Sequence, residues 1–508
     1  MKWRINFSII NSNYNLVGYA PSAFIANVPC KNGQQIFREW YIEHENGRTT
    51  SYVPVEVIDA VTDWILEKII KEPAWVDDLH QTTEQLNRDY FTFAHSLVNK
   101  NWAALSAEEI LADYNELRRL QITSHTRSIA TTWFVDSNGE PFSNYLRARL
   151  VTWLEKKGIT DKARAVKYFI ILTTPTRLNF AQEEEKEFLQ LLAKVQEDVL
   201  VRDFFQKKGI GDPTSLPEEI MTAVRNHFQK WRWIPYGYIG PAYELGHYLK
   251  ELHQSSRSGI KAQELLARQA EQEENIHREL SEALAQLTLP TDLEILFRQA
   301  REIIWLKDYR KYCIFHGHWV LDMITKEIAR RLAISHKQAN YFLTEEVGPA
   351  LLQGRFDIDQ LNSRARYSVI WADAETQKIY YAQEAREQLK KLDMEILPAQ
   401  EEGVFKGTCA YPGQVSGVVK IVNEVAEMEK LQPGEIMLAL TTYPALLPAM
   451  RRAAAIVTED GGITCHAAIV AREMRLPCVV GARLVTKKLQ DGDRVSVDAT
   501  EGIIKQIT

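Results

Sequence analysis

The chain has 508 residues, 45% apolar and 25% charged, and 61 Lys plus Arg against 67 Asp plus Glu leave a net charge of −6. At roughly 150 residues per domain this length suggests about three domains, or two large ones, each able to bury a core. The composition excludes a disordered or fibrous chain, and the acidic balance argues against nucleic acid or an anionic membrane as partner, since either needs a basic surplus or a concentrated basic face.

In chain order, residues 1–55 read as a small β-containing start, in which FSIINS and GRTTSYV could pair as strands. Helical patterning then dominates to residue 389. PVEVIDAVTDWILEKII, LSAEEILADYNELRRL, AQEEEKEFLQLLAKVQEDVL and LDMITKEIARRLAI carry apolar residues at three- and four-residue spacing, as one buried helix face requires. Ser106 three residues before Glu109 predicts a capping box, and Pro217 marks a helix start. Residues 390–406, KKLDMEILPAQEEGVFK, are charged and broken by Pro398 and Gly403, and read as a hinge.

The character changes beyond it. All 12 tryptophans lie between Trp3 and Trp371, whereas the tail after Glu402 holds 10 of the 24 glycines and one histidine. SGVVKIV, GEIMLAL, AAAIVT, LPCVVG, DRVSVDA and GIIKQI are strand-like runs separated by turns, and 407–508 reads as a compact sheet with helices packed on it. The five cysteines (Cys30, Cys313, Cys409, Cys465 and Cys478) are scattered without a C-x-x-C pair, which suits free thiols in a reducing compartment. No run approaches a membrane span or a signal peptide, so a soluble cytoplasmic protein is expected.

The densest chemistry lies in Thr458-Glu-Asp-Gly-Gly-Ile-Thr-Cys-His466-Ala-Ala-Ile-Val-Ala-Arg472. A strand ending at Thr458 meets Gly461 and Gly462, which permit a sharp turn and close approach of another group. Thr464 can cap the following helix, placing His466 in its first turn. There the helix dipole disfavours the imidazolium and leaves a neutral, nucleophilic ring, while spare N–H groups can meet an anion formed on it. Ala467, Ile469, Val470 and Met474 would pack on the sheet, and Pro477 would stop the helix.

This segment resembles the phosphohistidine, or swivelling, domain of the PEP-utilising enzymes (PEP synthase, pyruvate phosphate dikinase, rifampin phosphotransferase), whose motif T-x-x-G-G-x-T-[SC]-H-A-A-[IV]-[VI]-A-R is met at every position. The likeness extends to the opening Ala410-Tyr-Pro-Gly-Gln-Val-Ser-Gly and the closing Asp491-Gly-Asp-Arg-Val-Ser-Val-Asp. It implies a multidomain α plus α/β chain, in which a mainly helical substrate-recognition region precedes a small β/β/α swivelling domain. It also implies that His466 carries the phosphoryl group, supported by Gly461, Gly462, Thr464 and Cys465.

The family's nucleotide is held by an ATP-grasp domain, but neither its Arg-Ser-Ser phosphate-handling sequence nor a G-x-x-x-x-G-K-[ST] loop occurs here. The resemblance therefore implies a separate ATP-grasp partner protein that brings ATP and its Mg2+ and loads His466. The acceptor would be a small-molecule hydroxyl or enolate. Looser similarity to the helical substrate region of the rifampin phosphotransferase type rests on Leu172-Thr-Thr-Pro-Thr, His227-Phe-Gln-Lys-Trp-Arg-Trp and the stretch from Arg301 to Arg310.

Within that region Lys230-Trp231-Arg-Trp233-Ile-Pro-Tyr236-Gly-Tyr238 could wall an acceptor pocket or simply pack a helix end. His316 and His318, two residues apart, lie about 200° around a helix and cannot share one ion there. They read as structural histidines, with one as general base the alternative. Glu244/His247 and Glu274/His277 have the spacing of a di-metal bundle. The alternatives to phosphoryl relay are thus a non-catalytic phosphocarrier or regulatory protein, and a di-metal helical-bundle enzyme.

Overall fold

The computed structural model describes residues 2–9, 39–129, 135, 140–207, 212–237, 240–395, 403–442, 446–462 and 465–507. Six strands in the first 395 residues form one sheet: β1 (Lys2–Ile9), β2 (Glu39–Glu45), β3 (Arg48–Pro54), β4 (Tyr367–Asp373), β5 (Gln377–Tyr381) and β6 (Asp393–Met394), in the order β5-β4-β2-β3-β1-β6. The two stretches expected to pair do so, β1 running antiparallel to β3 with Phe7 opposite Ser51. Asn46 and Gly47, both at positive φ (47° and 88°), make the two-residue turn between β2 and β3 that an Asn-Gly pair favours.

The other half of this sheet comes from far along the chain. The interior strand β4 is buried at five of its seven positions, so it shows no polar-apolar alternation and does not declare itself in the sequence. β6 also falls inside the segment read as a hinge: Lys2 and Trp3 pair with Asp393 and Met394, and Arg4 is bridged to Glu395 at 2.5 Å. Residues 396–402 of that segment lie outside the described residues, and its last three, Val404–Lys406, form a strand of the C-terminal sheet.

Helices of eight residues or more fill the space between β3 and β4: α1 (Val55–Lys71), α2 (Pro73–Ser96), α3 (Ala107–Ile129), α4 (Pro141–Lys156), α5 (Lys162–Thr173), α6 (Phe180–Glu197), α7 (Val199–Gln206), α8 (Glu218–Trp231), α9 (Leu245–Arg257), α10 (Ala262–Leu287), α11 (Thr291–Leu332), α12 (Thr344–Gln353) and α13 (Ile358–Arg366). The Ser106–Glu109 box forms reciprocally ahead of α3 (2.7 and 3.1 Å), a cap of about 1 kcal/mol, and α8 begins directly after Pro217.

α11 is the spine of this unit. It runs 42 residues, and Cys313–Asp322 are buried without interruption, as a helix enclosed by neighbours must be. Gly317 makes this possible: a Cβ there would fall 2.0 Å from the Tyr90 hydroxyl of α2. Among the described residues no helix is long and apolar enough to cross a membrane.

The last hundred residues form a second unit. After α14 (Ala382–Lys390), eight strands follow: β7 (Val404–Lys406), β8 (Thr408–Tyr411), β9 (Gln414–Ile421), β10 (Ile436–Ala439), β11 (Ala455–Thr458), β12 (Cys478–Val480), β13 (Arg494–Asp498) and β14 (Ile503–Ile507). They are ordered β7-β14-β13-β9-β10-β11-β12-β8, with β9 to β12 parallel. The two edge strands β7 and β8 are separated only by Gly407, so the sheet curls back on itself. A Cβ at Gly407 would meet the Val480 carbonyl oxygen at 2.6 Å, which is why glycine stands at this junction.

All six expected strands of this unit are present. Their alternation sorts Met437, Ala439, Ile456, Cys478 and Val480 onto one face and Ile436, Leu438, Ala455, Val457 and Val479 onto the other.

Candidate functional site

The chemistry-bearing helix, α15 (His466–Met474), packs on the first of these faces through Ala467, Ala468, Val470 and Ala471. This is a smaller-residue face than expected: Ile469 is only half-buried, and Ala468 and Ala471 let the helix lie close to the strands. The helix ends at Arg475 in the left-handed conformation (φ 53°), two residues before Pro477. Its N-cap is Cys465, and His466 is the first helical residue. Thr464, expected to cap the helix and support the phosphate, lies outside the described residues.

His466 is buried at 6% exposure, and its Nδ1 is 2.9 Å from the Thr442 hydroxyl at the end of the β10 loop. Burial, with the Lys311 ammonium adding to it, holds its pKa down to about 3. The ring is therefore neutral at any physiological pH, the state a helix N-terminus also favours. With Nδ1 engaged by Thr442, the second nitrogen, Nε2, is the one available for chemistry.

The glycine pair serves two purposes. Gly461 has φ 108°, and a Cβ on it would press within 2.9 Å of the Cys465 side chain, so this residue makes the turn. A Cβ on Gly462 would stand 2.8 Å from Oε1 of Glu140, the residue before α4. Close approach is thus made here by the helical unit itself. Cys465 is half-buried, and burial raises its thiol pKa, which keeps it protonated and unreactive. Just upstream, buried Glu459 accepts from both the backbone N–H and the hydroxyl of Thr486, tying the loop to the segment that follows β12.

The helical unit supplies groups that motif reading passed over. Lys311 of α11 interacts electrostatically with both Cys465 and His466. One turn earlier, Asp308 is buried; it accepts from the Phe180 backbone N–H, while its Oδ2 has no hydrogen-bond partner. Burial pushes its carboxyl pKa up to about 6. Arg451, below β10, is bridged to Glu185 of α6 at 2.5 Å. No local sequence signal distinguishes Lys311 from other helix cations. What could have been noticed is that Asp308 and Lys311 share a helix face otherwise continued by Ile304 and Phe315.

The five residues proposed for an acceptor pocket do not form one cluster. Trp231 and Trp233 are fully buried, donating through their indole nitrogens to Glu187 (2.7 Å) and the Lys230 carbonyl (2.8 Å). His316 packs among Phe91, His95, Trp233 and Trp319, whereas His318 faces Gln121 at 2.8 Å on the opposite side of α11. Burial holds both imidazoles down to about 3, secondary contributions coming from His95 and Arg118 respectively. Tyr236 alone of the five lines the cavity beside Trp319; Tyr238 is outside the described residues. Of the Glu-x-x-His pairs, His247 stacks on Tyr243 at 3.6 Å, and Glu274 and His277 are exposed on α10. No group of three His, Cys, Asp or Glu residues is placed to hold a metal among the described residues.

Residues 431–502 match the family described as PEP-utilising enzyme, mobile domain. The C-terminal unit belongs to that family. The chain is 44% identical over 142 residues to a probable phosphoenolpyruvate synthase of Archaeoglobus fulgidus, covering 27% of this chain and 19% of that protein. It is 42% identical over 139 residues to the phosphoenolpyruvate synthase of Pyrococcus furiosus, covering 26% and 17%, and 32% identical over 175 residues to that of Escherichia coli, covering 33% and 22%. The matches thus span about a fifth of the length of these relatives.

Proposed function

We propose that this chain relays a phosphoryl group through His466 to a small-molecule hydroxyl or enolate. The observation that carries this reading is the state of the ring: neutral, fixed at Nδ1 by Thr442 and set at a helix N-terminus beside the Lys311 ammonium. Nε2 attacks the phosphorus of a nucleotide triphosphate, the bond to the departing phosphate oxygen breaks, and a phosphohistidine forms. In the second half-reaction the acceptor oxygen attacks phosphorus, the P–N bond breaks and the neutral imidazole returns. Such transfers need alignment and charge neutralisation above all. Lys311 supplies the positive charge, and Asp308 stands one turn away to take the acceptor's proton.

The donor is ATP with its Mg2+, held by a separate ATP-grasp protein; no step assigned to this chain's residues runs through the metal. In the docked arrangement His466 is buried against the helical unit, so loading requires the mobile domain to swing out about the connection between the two units. That movement, and cytoplasmic residence, belong to this reading.

The test is phosphopeptide mapping after incubation of the full chain with ATP, Mg2+ and a candidate ATP-grasp protein. An acid-labile phosphate on His466 that is lost when an acceptor is added supports the relay; labelling that never discharges points to a phosphocarrier. In His466→Ala, turnover of the intact assembly should fall at least about 10⁴-fold, as for loss of other catalytic nucleophiles. Normal turnover in that variant would end the proposal.

A further inference from the structure

A cavity of about 560 Å³ opens beside the C-terminal half of α11, between that helix and the segment following α8. Its volume falls in the range that takes small organic molecules. At one end Asp322 is fully engaged: the Lys326 ammonium lies at 2.7 Å, the His336 ring at 2.9 Å, and the Tyr236 hydroxyl is hydrogen-bonded to it. Those charges compensate one another.

The other end is different. The Arg232 guanidinium lies over the Phe228 ring at 4.2 Å and 5.6 Å from the Trp319 ring. Its Nε is buried without a hydrogen-bond partner, and among the described residues no carboxylate oxygen comes within 4 Å of the group. Glu244 lines the same cavity and interacts electrostatically with Arg232 without forming an ion pair with it. A half-buried guanidinium with no ion-pair partner is open to an anion, and its planar fork is matched best by a planar anion that can accept two hydrogen bonds. Trp319, Met323 and Pro241 supply an apolar wall beside it.

We propose that this cavity binds a small organic carboxylate, its carboxylate on Arg232 and an apolar body along Trp319 and Met323. Trp319 and Lys326 lie eight and fifteen residues beyond Lys311, about 12 and 22 Å along the helix, so this site is separate from the present position of His466. It stands independently of the phosphoryl relay.

The test is titration calorimetry on the full chain with three probes. 3-Phenylpropionate should bind saturably at one site per chain, acetate at least about tenfold more weakly for want of the apolar body, and phenethylamine not at all. Arg232→Met, which keeps the stem over the rings, should weaken 3-phenylpropionate at least about tenfold. Glu244→Gln removes a like charge from the lining and should tighten it several-fold. Equal binding of phenethylamine, or full affinity in a folded Arg232→Met protein, overturns the assignment. If Arg232→Met does not fold, unchanged affinity in Glu244→Gln overturns it instead.

Discussion

The two units of this protein encode their chemistry in opposite ways. In the mobile domain the turn, the helix start and the histidine lie within fifteen consecutive residues, Thr458 to Arg472, and short parallel strands hold them from beneath. In the helical unit the groups that face the motif, or line a cavity, come from the residue before α4, the segment after α8 and α11, and meet only through tertiary packing. Local geometry leaves a motif in the sequence, whereas geometry assembled across 170 residues leaves ordinary helix cations and aromatics.

If the helical unit's conspicuous His-Gly-His is packing and not a site, its glycine should matter more than either ring. Gly317→Ala drives a methyl to 2.0 Å from the Tyr90 hydroxyl at the tightest crossing of α11 and α2, and should cost about 3 kcal/mol of stability in urea unfolding. A loss below about 1 kcal/mol would mean that the two helices separate easily and that their packing does not fix the unit.

Lys311→Met asks whether the mobile domain's site is complete by itself. Removing the ammonium should reduce phosphoryl transfer from His466 about 10²-fold with little change in stability, as for loss of one preorganised electrostatic group. The His466 imidazole, freed of one of the two influences holding its pKa down, should also titrate higher by NMR in the variant. An unchanged rate and titration would confine the chemistry to the mobile domain.

Much of the fold is legible in the sequence for reasons these two units illustrate. The six C-terminal strands announce themselves because they are short apolar runs set off by turn residues, even though β10, β11 and β12 are buried throughout, and the long amphipathic helices because one face is apolar. β4 stays hidden because it follows α13 directly, with no turn to set it off, and β6 because its two residues are held only by pairing with β1. At the site, His466, Gly461 and Gly462 are readable from the motif. Lys311, Asp308 and Glu140 are not, since nothing near them in sequence says which element they will face. Trp231 and Trp233 show the converse: an aromatic-rich stretch that looks like a pocket wall closes into solid packing, and the neighbouring Arg232 reaches the cavity.

The buried imidazoles give the contrast a pH dependence. Burial holds His316 and His318 down to about 3 and His44, His80 and His247 to about 4, all in the helical unit. Unfolded, each ring would take a proton near 6.5. The unfolded state therefore binds more protons between about pH 6.5 and 4, and stability, constant above 6.5 on this account, falls as the pH drops below it. Asp308, Glu183 and Glu251 work the other way, their raised carboxyl pKa values adding stability as the pH falls, but with His125, which burial also holds well down, they are three groups against six imidazoles. All 12 tryptophans precede residue 372, so tryptophan fluorescence reports the helical unit alone. Its urea midpoint should decline steadily below pH 6.5, and a flat profile down to pH 5 would show that these rings admit protons without loss of packing.

The smallest effect belongs to the contact between the units. Arg451 and Glu185 are 2.5 Å apart, yet their side chains are 49% and 31% exposed, so solvent screens the pair and its coupling should be no more than about 1 kcal/mol. A double-mutant cycle of Arg451→Ala and Glu185→Ala measures it, and 1 M salt should abolish most of it. The proposed relay requires a weak, screened contact of this kind, because under it every kilocalorie holding His466 against α11 must be recovered before the ring is loaded. A coupling of 3 kcal/mol or more would instead describe a latch, and it would make undocking, not phosphoryl transfer, the step to examine first.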